Sequence, residues 1–124
     1  MNEKEVKASK EMLDQYLTTA LWSSHDYETN MDMDENYDID DFSKNAIEQS
    51  IEDCNGFLSE AKQYLEKEKA TDSTIGHDFW LTRNGHGAGF WDGDYIYGIQ
   101  LTEIAKVYGT VTLFINDKGE VDIL

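Results

Sequence analysis

Ile47, Ile51, Cys54, Leu58, Ala61 and Leu65 are spaced four, three, four, three and four residues apart. That is the period of a helix buried along its length, and it constrains the fold of this chain more than any other feature. Asp41 and Ser43 are both suitable N-caps, and the pattern runs to about Lys69. Gly56 interrupts it at a cost of about 1 kcal/mol against alanine and marks a point of close approach. Glu48, Glu52, Asp53 and Glu60 lie off the seam and are expected to face water. A complementary stripe of Val6, Leu13, Tyr16, Leu17, Ala20 and Leu21 predicts an earlier helix from about Glu5 to Trp22. The two stripes are expected to bury against each other or a sheet, with a second copy of the chain as the alternative.

The remainder reads as β structure. Residues 77–83 and 87–92 flank Asn84-Gly85, a strong two-residue hairpin signal. Residues 101–108 suggest a short helix ended by Gly109, and 110–115 and 120–124 flank N-D-K-G as a second hairpin. The predicted order is ααββαββ in one α+β domain over residues 1–124, with two N-terminal helices packed on a four-stranded antiparallel sheet. In the first hairpin His77 would face Asp92. Phe79, Leu81 and Phe90 would point to the core, and Trp80, Thr82 and Trp91 to the other face, where Gly89 leaves room for the Trp80 indole.

Charge bears most directly on function. The chain has 26 acidic and 10 basic residues, a formal net charge of -16. This exceeds the magnitude of roughly 2–8 that suits a small soluble domain, disfavours nucleic acid and anionic lipid as ligands, and favours a basic partner. Residues 1–75 carry net -12 and residues 76–124 net -4. Asp26, Glu28, Asp32, Asp34, Glu35, Asp38, Asp40 and Asp41 form an acidic segment, 26–41, that contains no base. Like-charge repulsion predicts an extended, solvated loop, to which Tyr27, Tyr37 and Met33 add apolar groups. No run of about 18 apolar residues is present, so no spanning helix is expected. The lone Cys54 and the charged M-N-E-K-E-V-K start point to the cytoplasm.

The glycine-rich stretch and the acidic segment hold residue types that suit several chemistries. G-H-G-A-G fits neither a dinucleotide fingerprint nor a phosphate loop with its Lys-Ser/Thr. His77, Asp78, His86, Asp92 and Asp94 are metal-ligating types, yet strand geometry separates His77 from His86 by roughly 15 Å at about 3.3 Å per residue. His86 has no Ser or Cys partner at a recognisable spacing. Asp32, Asp34, Asn36, Asp38 and Asp40 follow calcium-loop spacing, but Tyr37 and Ser43 stand where such a loop needs glycine and a bidentate glutamate. Neither a metal nor a cofactor is expected. Arg83, Asn84, His86, Trp91 and Asp92 remain a secondary candidate surface.

The stretches A-L-W-S-S, E-N-Y-D-I-D-D-F and G-H-D-F-W-L-T-R-N-G-H-G-A-G-F-W-D, with the weaker L-T-E-I-A-K-V-Y-G and D-K-G-E, resemble a group of small proteins of tailed bacteriophages and prophages. The likeness runs from about Leu21 to the end. It implies a phage setting within a bacterial host and no catalytic residues; this chain carries D-G-D-Y where relatives are expected to have a basic residue. Acidity and setting together lead to the expectation of a non-enzymatic inhibitor that presents carboxylates to the basic groove of a host nucleic-acid-binding defence protein, of CRISPR or restriction type. The alternatives are a structural or self-associating phage protein, with a homodimer allowed, and a small metal-dependent enzyme using His77, His86 and Asp92.

Overall fold

A computed structural model describes residues 6–92 and 95–124. Helix α1 spans Lys10–Trp22. A short antiparallel pair follows, β1 (His25–Asp26) and β2 (Met31–Asp32), then 3-10 turns at Met33–Glu35 and Ile39–Asp41. Helices α2 (Lys44–Leu65), α3 (Asp72–Arg83) and α4 (Gly98–Lys106) come next, and the hairpin β3 (Leu113–Ile115) and β4 (Val121–Ile123) closes the order. The α+β class holds. The predicted ααββαββ order and its four-stranded sheet do not, because the described residues form four helices and two separate two-stranded sheets.

The largest correction concerns residues 77–83, which are helical. Thr71 caps α3 by accepting the Thr74 amide, Asp72 sits in the first turn and Arg83 in the last, matching the helix dipole at both ends. Asn84-Gly85 ends this helix and turns no hairpin. Gly85 takes a φ of 69°; its N–H donates to Thr82 O, and the His86 N–H donates to Leu81 O. This pair of bonds is the Schellman closure of a helix. Residues 87–92 are therefore a loop and no strand. His77 does not face Asp92, and Trp80 and Thr82 are buried rather than displayed.

Helices α1 and α3 form the tightest pair. Gln15 meets Ser73, Thr19 meets His77 and Ser23 meets Trp80, so contacts advance together and the helices run in the same direction. Gly76 lets them approach: a Cβ there would collide with the Met12 carbonyl oxygen. α1 begins later than predicted, after its N-cap Ser9, and Glu5 lies outside the described residues.

α2 begins at the Ser43 cap, as expected, but its buried face is Ala46, Ser50, Cys54, Phe57 and Ala61. It is rotated from the predicted seam, and Ile51 is 39% exposed. Small side chains on this face let Phe57 enter the centre, where it stacks between Phe79 at 4.4 Å and Phe90 at 5.3 Å. Gly56 admits the Tyr108 hydroxyl. The β3–β4 hairpin forms as predicted, with Leu113 opposite Ile123 and Ile115 opposite Val121. The Asn116 side chain accepts from the Lys118 and Glu120 amides, and Gly119 takes the positive φ that the turn requires.

Candidate functional site

The acidic segment is folded against α1 rather than strung out as a loop. The β1–β2 pair turns through Asn30, which has a φ of 59°, and Met33 inserts into the core as a buried anchor. Tyr37 and Ile39 pack partly behind it. Tyr27 stays out at 87% exposure, edge-on to His25 at 4.8 Å between ring centroids. Of the apolar groups on the segment, Met33 is therefore committed to the fold, Tyr37 partly so, and Tyr27 is free.

The structure divides the eight acids into two kinds. Asp26 is buried and accepts the Glu28 amide. Asp38 accepts the Asp40 amide, while Asp41 accepts the Asp38 amide, a reciprocal capping box over the second 3-10 turn. Asp32 contacts His25 Nδ1 at 3.3 Å. These four stabilise the backbone that repulsion was expected to extend. Glu28, Asp34, Glu35 and Asp40 are exposed, and their side chains have no hydrogen bond or ion pair among the described residues. They are available to an outside cation. Glu48 and Glu52 of α2 are also exposed, but Asp53 is not the water-facing acid expected of it.

Asp53 pairs with Arg83, and that pair removes Arg83 and Asn84 from the secondary candidate surface. The Arg83 side chain is 4% exposed. Its guanidinium donates to Asp53 Oδ2 at 2.7 Å, Tyr16 Oη at 3.0 Å, Gly109 O at 2.8 Å and Tyr108 O at 2.7 Å. Asn84 donates to Trp80 O and accepts the Val111 amide. Together they tie the end of α3 to the α4–β3 connection. Burial raises the Tyr16 hydroxyl and the Cys54 thiol above their ordinary values, so neither is poised for chemistry.

His77 contacts Thr19 Oγ1 at 3.0 Å and lies against the Trp22 ring. The same helix ends at Arg83, about 9 Å further along at 1.5 Å per residue, and His86 stands exposed beyond that end. The Asp92 carboxylate accepts the Gly89 amide. The His77 and Asp92 side chains are thus held by different partners, and His86 stands exposed. Asp78 is half-buried; burial raises its carboxyl above the usual range, opposed by a 2.7 Å hydrogen bond from the Tyr95 hydroxyl. Among the described residues, no group of three or more His, Cys, Asp or Glu could hold a metal, and Asp94 lies outside them. Among the same residues, no helix is long and apolar enough to cross a membrane.

Comparison with family models, curated proteins and solved structures finds no match to this chain.

Proposed function

We propose that this protein is a non-enzymatic binder of a basic partner, acting as a phage-type inhibitor of a host nucleic-acid-binding defence protein. The observation that carries this reading is the unneutralised set Glu28, Asp34, Glu35 and Asp40, exposed in a segment with no base of its own. A groove that reads duplex nucleic acid meets about one negative charge per 1.7 Å of helix axis, and carboxylates seated there release the same counterions. Glu52 adds an exposed acid on α2, where Glu48 already pairs with Lys44 at 4.0 Å. Tyr27 supplies an exposed aromatic anchor, because charge alone contributes more to steering than to affinity. The phage setting and the class of target rest on the resemblance of G-H-D-F-W-L-T-R-N-G-H-G-A-G-F-W-D and its companion stretches.

The test neutralises the four free acids as Glu28→Gln, Asp34→Asn, Glu35→Gln and Asp40→Asn, leaving the capping carboxylates in place. Proteins captured from a bacterial lysate at low and high salt are compared between wild type and variant. The reading expects a nucleic-acid-binding protein held by wild type at low salt, shed at high salt, and lost from a variant with an unchanged circular dichroism spectrum. Equal capture by the variant overturns it.

A second reading, self-association, is favoured by the exposed Ile96, Ile99 and Val107 around α4 and Trp91 before it. Light scattering on a concentrated sample decides it, since a monomer removes it.

A further inference from the structure

The loop after α3 and the end of α4 together enclose a cleft of about 280 Å³ lined by Leu81, Thr82, His86, Ala88, Trp91 and Lys106, with Gly85 and Gly87 at its rim. No part of the reading above uses it. We propose that this cleft is a binding site for a small phosphate ester carrying an aromatic body, of the nucleoside monophosphate class.

Three observations carry the proposal. First, the loop backbone has the form of an anion-binding concavity. φ alternates in sign along it, at 69° for Gly85, 75° for Gly87 and 133° for Gly89, with His86 and Ala88 negative between them. Successive residues of opposite hand turn neighbouring N–H groups toward one side. Among the described residues the Gly87 and Ala88 amides find no acceptor, whereas those of Gly85, His86, Gly89 and Phe90 do. Gly85 and Gly87 face open space where a Cβ would go, so packing does not require glycine there and the backbone path does.

Second, the lining holds a basic side chain in a part of the chain that has few. Only three basic residues follow position 75. Arg83 is consumed internally and Lys118 lies in the β3–β4 turn, which leaves Lys106 in the cleft beside the His86 imidazole. Asp92 already accepts the Gly89 amide, and Glu103, exposed one turn before Lys106 on α4, is the other acid near the cleft in sequence. The net charge opposes anions at long range, but screening over about 8 Å at physiological ionic strength leaves local donors to decide.

Third, the wall is apolar and aromatic. Trp91 is 58% exposed, with Leu81 and Ala88 beside it, a surface on which a base can stack. The cleft falls just below the usual range of about 300–1,000 Å³, which suits a mononucleotide better than a longer ligand.

Amide spectra of the full-length chain, titrated with inorganic phosphate and separately with adenosine 5′-monophosphate, test this. Shifts should centre on residues 85–88 and Lys106 with both probes. Stacking should make the nucleotide bind at least about fivefold more tightly than phosphate. Lys106→Gln should weaken both probes, and Trp91→Ala should reduce the nucleotide to the phosphate level. The proposal is overturned by no shift at millimolar probe, by shifts scattered over surface lysines, by equal affinity for the two probes, or by an unaffected Lys106→Gln variant. Because Glu28, Asp34, Glu35 and Asp40 are untouched, the outcome is independent of partner capture.

Discussion

Replacing Arg83 with methionine removes the cation that joins three parts of the fold while keeping most of its aliphatic volume. Asp53 would lose its ion-pair partner, the Gly109 and Tyr108 carbonyls their side-chain donors, and Tyr16 a hydrogen bond. The faces of Phe79 and Tyr108 would lose a guanidinium at 5.6 and 5.7 Å. Breaking a buried pair on one side costs about 3–5 kcal/mol, chiefly because the other charge is left unpaired. Asp53 is slightly open to water, with its side chain 14% exposed, which places the expectation near the lower bound, about 3 kcal/mol. For a domain of this size that is a large share of the roughly 5–15 kcal/mol available and lowers Tm by about 10–15 °C. Arg83→Lys should recover little, because an ammonium cannot span acceptors arranged for a planar fork. Urea denaturation of Arg83→Met, Asp53→Leu and the double variant measures the coupling. The double variant should lose less than the singles summed, by about 1–3 kcal/mol. Strict additivity, or a loss below about 1 kcal/mol in Arg83→Met, would refute the assignment of Arg83 as a buried tie.

Gly76→Ala should destabilise the protein by about 1–3 kcal/mol although alanine is the better helix former, because its Cβ meets a backbone oxygen of α1; thermal melts read this directly. Asn30 and Asp32 raise the His25 pKa above its ordinary value by accepting from both ring nitrogens. The resulting contribution to β1–β2 is therefore full below the unfolded-state value near 6.5 and is lost as pH rises through the folded-state value. Amide exchange at residues 25–32 should quicken over that interval, and His25→Gln should abolish the dependence. Cys54 is buried, with its thiol pushed up, and should react with a thiol reagent only at the rate of unfolding; fast labelling of the native protein contradicts its placement.

Where the sequence was legible, local chemistry decided the structure. Ser43 caps α2, Gly109 follows α4, and N-D-K-G turns the last hairpin, each within a few residues of its cause. The α3 region misled because Phe79, Trp80 and Thr82 have high β propensity and because Asn-Gly serves a hairpin or a helix end equally well. What selects the helix is distant: the Gly76 approach to α1 and the Arg83 tie to Asp53. On α2, Cys54 and Ala61 are buried as the spacing predicts, but Ala46, Ser50 and Phe57 take the buried face in place of Ile47, Ile51 and Leu58, because the smallness of Ala46 and Ser50 admits the neighbouring helices. In the acidic segment, counting charges hid a division that spacing held. Asp38 and Asp41, three apart, cap each other's turn, and the acids left without such a task define the candidate surface. The buried cation could not be read from Arg83 alone, since an arginine in a last helical turn ordinarily points to solvent.

Purified with its captured partner, the protein should displace labelled duplex DNA from that partner with an inhibition constant that worsens steeply as salt rises. The quadruple variant at Glu28, Asp34, Glu35 and Asp40 should leave the DNA bound. Displacement that is indifferent to ionic strength and undiminished in the variant would contradict the carboxylate surface as the working part of the molecule.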